Sequence, residues 1–232
     1  MTRGYRPPPP GLHPPNNSPA YTSTALRAPR SRAVAITHSL SETTGPSFAR
    51  APAASASADL TILNGGAALG ERIIIAGRVL GDDGRPIANA MLEIWQANSA
   101  GRYAHPEDRH DAPLDPHFSG AAQIVTGSDG AYRIVTIKPG AYPWRNHPNA
   151  WRPRHIHFSV FGPAFASRLV TQMYFPGDPL LDYDPIYLSV PGAEARARLL
   201  ARFDLNTTIA DYALGYQFDI VLRGGGATPA QN

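Results

Sequence analysis

Turn chemistry interrupts this chain so often that long regular elements are excluded. Its apolar runs are short and rich in β-branched or aromatic side chains, at residues 73–80, 90–95, 123–125, 132–137, 156–161, 169–175 and 218–222. Between them lie Asp82-Asp83-Gly84-Arg85-Pro86 and Ser128-Asp129-Gly130, sequences suited to tight turns. Strands of this length and spacing predict an all-β fold, a β-sandwich of roughly seven or more short strands. The 24 prolines and 21 glycines in 232 residues favour turns and short strands over a helix bundle. One short helix is expected over 193–203, where good helix formers follow Pro191-Gly192.

The chain divides by composition. Residues 1–58 read as an extended Pro/Arg-rich N-terminal arm and linker, residues 59–225 as the sandwich domain, and residues 226–232 as a flexible tail. The first 50 residues carry six arginines against the single acid Glu42, while the remainder is slightly acidic. The sequence pI of 9.3 therefore belongs to the arm. Its arginines are scattered among prolines, so nucleic acid is not the expected partner; wrapping a neighbouring subunit or covering an anionic ligand is. With no cysteine, disulfides, thiolate metal sites and thiol nucleophiles are excluded. No apolar run is long enough to span a membrane and none at the start is signal-like, so no membrane partner and a cytoplasmic location are expected.

Chemistry is sought on the two long irregular stretches, 96–120 and 139–154, which are polar and aromatic and hold Trp144 and Trp151. The second leads into His155-Ile156-His157. On a strand, His155 and His157 project from one face and form half of a metal site. The dipeptide alone fits two hydrogen-bonded histidines on a strand better than a metal site. No carboxylate follows closely enough for a cupin-like set. Tyr103 and Tyr142, one on each loop, are the remaining candidate ligands, although each taken singly fits a rim aromatic with a solvated hydroxyl better. A phenol of ordinary pKa near 10 ionises only for a strong Lewis acid, which favours a hard, highly charged ion such as ferric iron.

Residues 70–103, 138–163 and 171–180 carry a specific resemblance. These runs, with SETTGP at 41–46 and FDIVLRG at 218–224, resemble the intradiol ring-cleavage dioxygenases, in the same order from about Ser18 to Gly224. The resemblance implies a non-haem Fe(III) held by Tyr103, Tyr142, His155 and His157, with water or hydroxide as the fifth ligand. It further implies Arg152 and Gln172 beside the reacting ring, and Trp144 and Ile186 in the pocket. Tyr21 and Arg27 would lie near a substrate carboxylate, with Trp95 close by. Arg154, His147 and the Tyr183-Asp184 stretch depart from the family pattern.

The activity implied is cleavage of protocatechuate (3,4-dihydroxybenzoate) by O2 between its hydroxyl-bearing carbons, giving 3-carboxy-cis,cis-muconate in aromatic-compound catabolism of the β-ketoadipate type. A homologous alpha subunit in a hetero-oligomer is the implied partner. Two phenolates and a hydroxide neutralise Fe(III), and a catecholate dianion replaces one phenolate plus the hydroxide without changing the total. The resemblance makes Tyr142 the phenolate that leaves. Arg27, a planar fork, and the Tyr21 hydroxyl favour a carboxylate-bearing catechol. Catechol or hydroxyquinol is the alternative substrate. A zinc hydrolase and a non-catalytic sandwich subunit are the alternatives of other classes.

Overall fold

The computed structural model describes residues 8–32, 34, 57–162 and 168–231. The SETTGP run lies outside them. In chain order the strands are β1 (Ser57–Asp59), β2 (Ile62–Leu63), β3 (Gly66–Ala67), β4 (Arg72–Leu80), β5 (Met91–Trp95), β6 (Ala121–Val125) and β7 (Ala131–Ile137). They continue with β8 (Tyr142–Pro143), β9 (Trp151–Arg152), β10 (His155–Phe161), β11 (Leu169–Tyr174), β12 (Arg202–Phe203), β13 (Leu214–Gln217) and β14 (Ile220–Val221). Three short helices accompany them, α1 (Thr24–Arg27), α2 (Pro185–Leu188) and α3 (Ala193–Ala197).

Two sheets build the body, as the spacing of the apolar runs predicts. The larger runs β1-β7-β4-β13-β12, with β14 also paired to β4. The smaller runs β11-β10-β5-β6 and is antiparallel throughout. Alternation along β10 sorts its side chains. Ile156, Phe158 and Val160 are fully buried and meet Ile73, Ile75 and Ile134 of the larger sheet in the main core. Each such side chain contributes about 1.5–3 kcal/mol by leaving water. His155 and His157 occupy the opposite face, away from that core. This outer face of the smaller sheet is where the loops, the arm and residues 181–200 gather.

The helix expected over 193–203 stops at Ala197. Tertiary hydrogen bonding overrides the helical propensity. The Tyr174 amide donates to the Leu199 carbonyl (2.8 Å) and the Ala201 amide donates to the Tyr174 carbonyl (2.9 Å), tying the chain to the end of β11. This buries Leu199 and Ala201, and residues 202–203 then pair as β12. The count of one helix is likewise corrected, among the described residues, to three short α-helices and a 3-10 turn at Leu181–Tyr183. The described part of the arm is not simply extended: it turns, forms α1, and buries Leu12, Tyr21 and Thr24. Residues 227–231 are no loose tail either. Ala227 and Thr228 are buried, and the Thr171 hydroxyl donates to the Pro229 carbonyl (2.7 Å).

Candidate metal centre

Strand registers assemble the first half of the site. Across β10, His157 is paired with Trp95 of β5 and Gln172 of β11, and His155 with Tyr174. Paired residues in antiparallel strands share a face, so these five side chains stand together. The His157 ring stacks on Trp95, with centroids 4.7 Å apart and planes 4° apart. Both imidazoles are held through Nδ1. His155 Nδ1–H donates to the Pro153 carbonyl (2.7 Å), and His157 Nδ1–H donates to Gln231 Oε1 (3.1 Å). Each ring therefore keeps its Nε2 lone pair for another partner. Burial, then the Arg152 charge, lowers His157 to about 3; burial, Arg152 and His157 hold His155 well below its usual value. Both rings are neutral at physiological pH.

Close backbone approach supplies the second half. Gly101 has φ +81°, and a Cβ there would lie 2.2 Å from the Ala141 carbonyl oxygen. Only glycine permits that contact, which seats the Tyr103 loop against the Tyr142 loop. Asn98 shapes the first loop by accepting from the amides of Ala100 and Arg102, and Asp108 accepts from the Tyr103 amide. The second loop closes as the β8–β9 pair, which sets Tyr142 opposite Arg152. The Tyr103 and Tyr142 rings meet edge to face with centroids 5.4 Å apart. Ring centroids are 5.4 Å apart for Tyr142 and His155, 4.8 Å for His155 and His157, and 6.3 Å for Tyr103 and His157. The four side chains named from the sequence thus close a ring.

Their donor chemistry fits a hard trivalent cation. The Tyr142 hydroxyl lies 3.3 Å from His155 Nε2, while the buried Tyr103 hydroxyl has no hydrogen-bond partner among the described residues. An orphaned buried hydroxyl is costly and marks a place where a further group belongs. Burial raises both phenols, chiefly by desolvation, with Tyr142 acting on Tyr103 and Arg152 partly relieving Tyr142. No group of three or more His, Cys, Asp or Glu residues that could hold a metal exists among the described residues. A metal ion at this place would therefore need the two tyrosine oxygens.

Arg152 closes one side. It is buried, and its guanidinium donates to Asp184 through Nε (2.8 Å) and Nη2 (3.1 Å), and through Nη2 to Gln172 Oε1 (2.6 Å) and the Tyr174 hydroxyl (3.1 Å). Burial opposes its charge, but Tyr174, Asp184 and Tyr142 raise its pKa above the usual value. From Arg152 a file of π contacts runs outward. The guanidinium lies 5.2 Å from the Trp144 ring, Trp144 meets Tyr21 at 5.1 Å, and Arg27 lies 4.8 Å from the Tyr21 ring. Tyr21 is buried and Arg27 is exposed. Ile186 is buried on α2, whose N-cap is Asp184. Trp95 is brought to His157.

Comparison with known proteins decides the lineage. The family model described as Dioxygenase matches residues 43–224. A protocatechuate 3,4-dioxygenase beta chain from Burkholderia cepacia is 54% identical over 221 residues, covering 94% of each chain. The chain belongs to the intradiol ring-cleavage dioxygenase family. It is also 32% identical to the protocatechuate 3,4-dioxygenase alpha chain of the same organism, over 67% of this chain and 74% of that one. Among solved structures, the dioxygenase domain of a dioxygenase and carbohydrate-binding fusion from Streptomyces sp. SirexAA-E aligns with a TM-score of 0.52 and 27% identity. That alignment covers 77% of this chain and 93% of the other. Intradiol dioxygenases are oxidoreductases that generally depend on non-haem iron, and no helix among the described residues here is long and apolar enough to cross a membrane.

For this intradiol dioxygenase, sequence reasoning missed three residues that the fold brings to the site. Tyr174 was legible as the next same-face position after Gln172 on β11. Asp184 stood out only as part of a departure from the family pattern, yet it is fully buried and carries both the Arg152 ion pair and the α2 cap, accepting from the Tyr187 amide. Gln231 had no local signal at all. Of the other departures, His147 is buried beside Trp144, and Arg154 turns away to Asp178 at 3.5 Å.

Proposed function

We propose that the chain is the iron-bearing subunit of an enzyme that cleaves protocatechuate with O2 to 3-carboxy-cis,cis-muconate. The convergence of two phenols and two imidazoles, with the Tyr103 hydroxyl unpartnered, is the observation that carries this reading. Tyr103, Tyr142, His155 and His157 are the proposed ligands of a non-haem ferric ion. Bound there, that ion would supply a Lewis acid that takes both catechol oxygens and makes the ring reactive toward O2.

The remaining work belongs to the protein. Tyr142, a phenolate only if it serves as a ligand of that ion, would take up a catechol proton as substrate binds; its Oη lies 3.3 Å from His155 Nε2. Arg152 keeps a fixed positive charge against the electron-rich ring and stabilises negative charge as it develops. Gln172 Oε1 and Asp184 hold that guanidinium still. Trp144 and Ile186 are apolar walls. Tyr21 and Arg27, at the outer end of the aromatic file, would receive the carboxylate that distinguishes protocatechuate from catechol. Arg27 and Leu26 are exposed on one side, with Trp151, Tyr183 and Leu188 exposed on the loop and α2 side. These surfaces support assembly with a homologous alpha partner.

A visible spectrum tests the reading. Iron-loaded protein should be red to brown from ferric tyrosinate, and anaerobic protocatechuate should shift the band. Tyr103→Phe should bleach part of it. A colourless, fully metallated protein, or a band untouched by Tyr103→Phe, would overturn the proposed ligand set.

A further inference from the structure

The segment 227–231 is tied down at every step. Arg198 Nε donates to the Ala227 carbonyl (3.0 Å), and the Thr228 amide donates to the Val221 carbonyl (2.9 Å). The Val221 amide donates to the Thr228 hydroxyl (3.0 Å), and the Thr171 hydroxyl donates to the Pro229 carbonyl (2.7 Å). The Ala230 amide donates to His13 Nδ1 of the arm (3.1 Å), and the Gln231 amide donates to the Val170 carbonyl of β11 (2.8 Å). Backbone held this way on two strands and the arm brings the Gln231 side chain to His157. Gln231 Oε1 then accepts from His157 Nδ1–H at 3.1 Å.

A second constraint on His157 is Trp95, whose stacked ring fixes the plane of the imidazole. Stacking does not decide which nitrogen bears the proton. A hydrogen-bond acceptor at Nδ1 does, because it makes Nδ1 the protonated nitrogen and leaves Nε2 with a lone pair. His155 receives the equivalent acceptor from the Pro153 carbonyl, two residues away on the same chain segment. His157 receives it from a side chain 74 residues later in sequence.

We infer that Gln231 is a positioning residue that selects the Nδ1–H tautomer of His157 and so holds Nε2 ready for the metal ion. The inference rests on the proposed ligand set. The segment 227–231 and His13 are then part of how the metal pocket is built. Acceptors of this kind on a metal-binding histidine typically change metal affinity about 10–100-fold.

Three versions of the full chain test it, each with its natural partner if one is required for expression: wild type, Gln231→Leu and Gln231→Glu. The leucine has no acceptor, whereas the glutamate keeps one in the same place. Iron content is measured after loading, then iron loss to excess chelator is followed, and the melting temperature of the metal-free protein is recorded. Gln231→Leu should lose iron about tenfold faster or more, with a metal-free melting temperature near that of wild type. Gln231→Glu should restore retention to within about threefold. If Gln231→Leu keeps iron as long as wild type, or if leucine and glutamate variants lose it equally fast, the inference is overturned. Failure of the ligand set itself would look different: His157→Ala would then hold iron and its visible band as well as wild type.

Discussion

Asp184→Asn separates the charge of this residue from its shape. Asparagine caps a helix about as well as aspartate, so the start of α2 should survive. What is removed is the anionic partner of Arg152, a residue 2% exposed whose partner carboxylate is 0% exposed. Breaking a buried ion pair from one side typically costs about 3–5 kcal/mol, because the other charge is left uncompensated. The hydrogen bonds from Arg152 to Gln172 and Tyr174 remain, which points to the lower end, about 3 kcal/mol. For a chain of this size that is a fall of about 6–12 °C in melting temperature. The assay is thermal unfolding of metal-free protein, so that changes in iron affinity do not enter. Arg152→Leu and the Arg152→Leu/Asp184→Asn double variant complete a cycle. The double variant should cost at least about 2 kcal/mol less than the two single losses combined. A shift under about 2 °C for Asp184→Asn, together with additive losses, would refute the claim that Asp184 compensates the Arg152 charge.

Other consequences can be measured alongside. Gly101→Ala forces a Cβ toward the Ala141 carbonyl in a left-handed backbone, so the protein should lose at least about 1–3 kcal/mol of stability and much of its visible band; an alanine variant with full colour and an unchanged melting temperature would contradict this. Metal-free protein should become less stable as pH falls below about 6.5. The unfolded chain then binds protons at His155 and His157 that the fold refuses, at about 1.4 kcal/mol per pH unit for each, continuing for His157 toward its folded value of about 3. Denaturant titrations at pH 7 and 5 read this directly, and equal stability at both would refute it. Arg27→Ala should raise KM for protocatechuate about tenfold while leaving KM for catechol within about twofold; equal changes for both substrates would detach Arg27 from the carboxylate.

The longer strands of the two facing sheets, such as β4, β5, β7, β10 and β11, were readable because each is a short run of apolar, mostly β-branched or aromatic side chains near turn residues. Such runs are local, and so is the pleat of a strand, which by itself puts His155 and His157 on one face. Short pieces such as β1, β12 and β13 gave no comparable signal, since their pairing comes from neighbours distant in the chain. The helix expected over 193–203 failed for the same reason: propensity favoured it, but the end of β11 offered hydrogen bonds that residues 199–201 took instead.

At the site, the chain on its own determined which atoms could bind a metal ion, because ligand chemistry resides in residue type and the family pattern names the four positions. It also determined that two glycine-bearing loops would carry the tyrosines. Only the tertiary structure decided what holds those side chains in place. Asp184 reaches Arg152 across 32 residues and Gln231 reaches His157 across 74. Such partners are selected by distance and burial in three dimensions, quantities that no local pattern encodes.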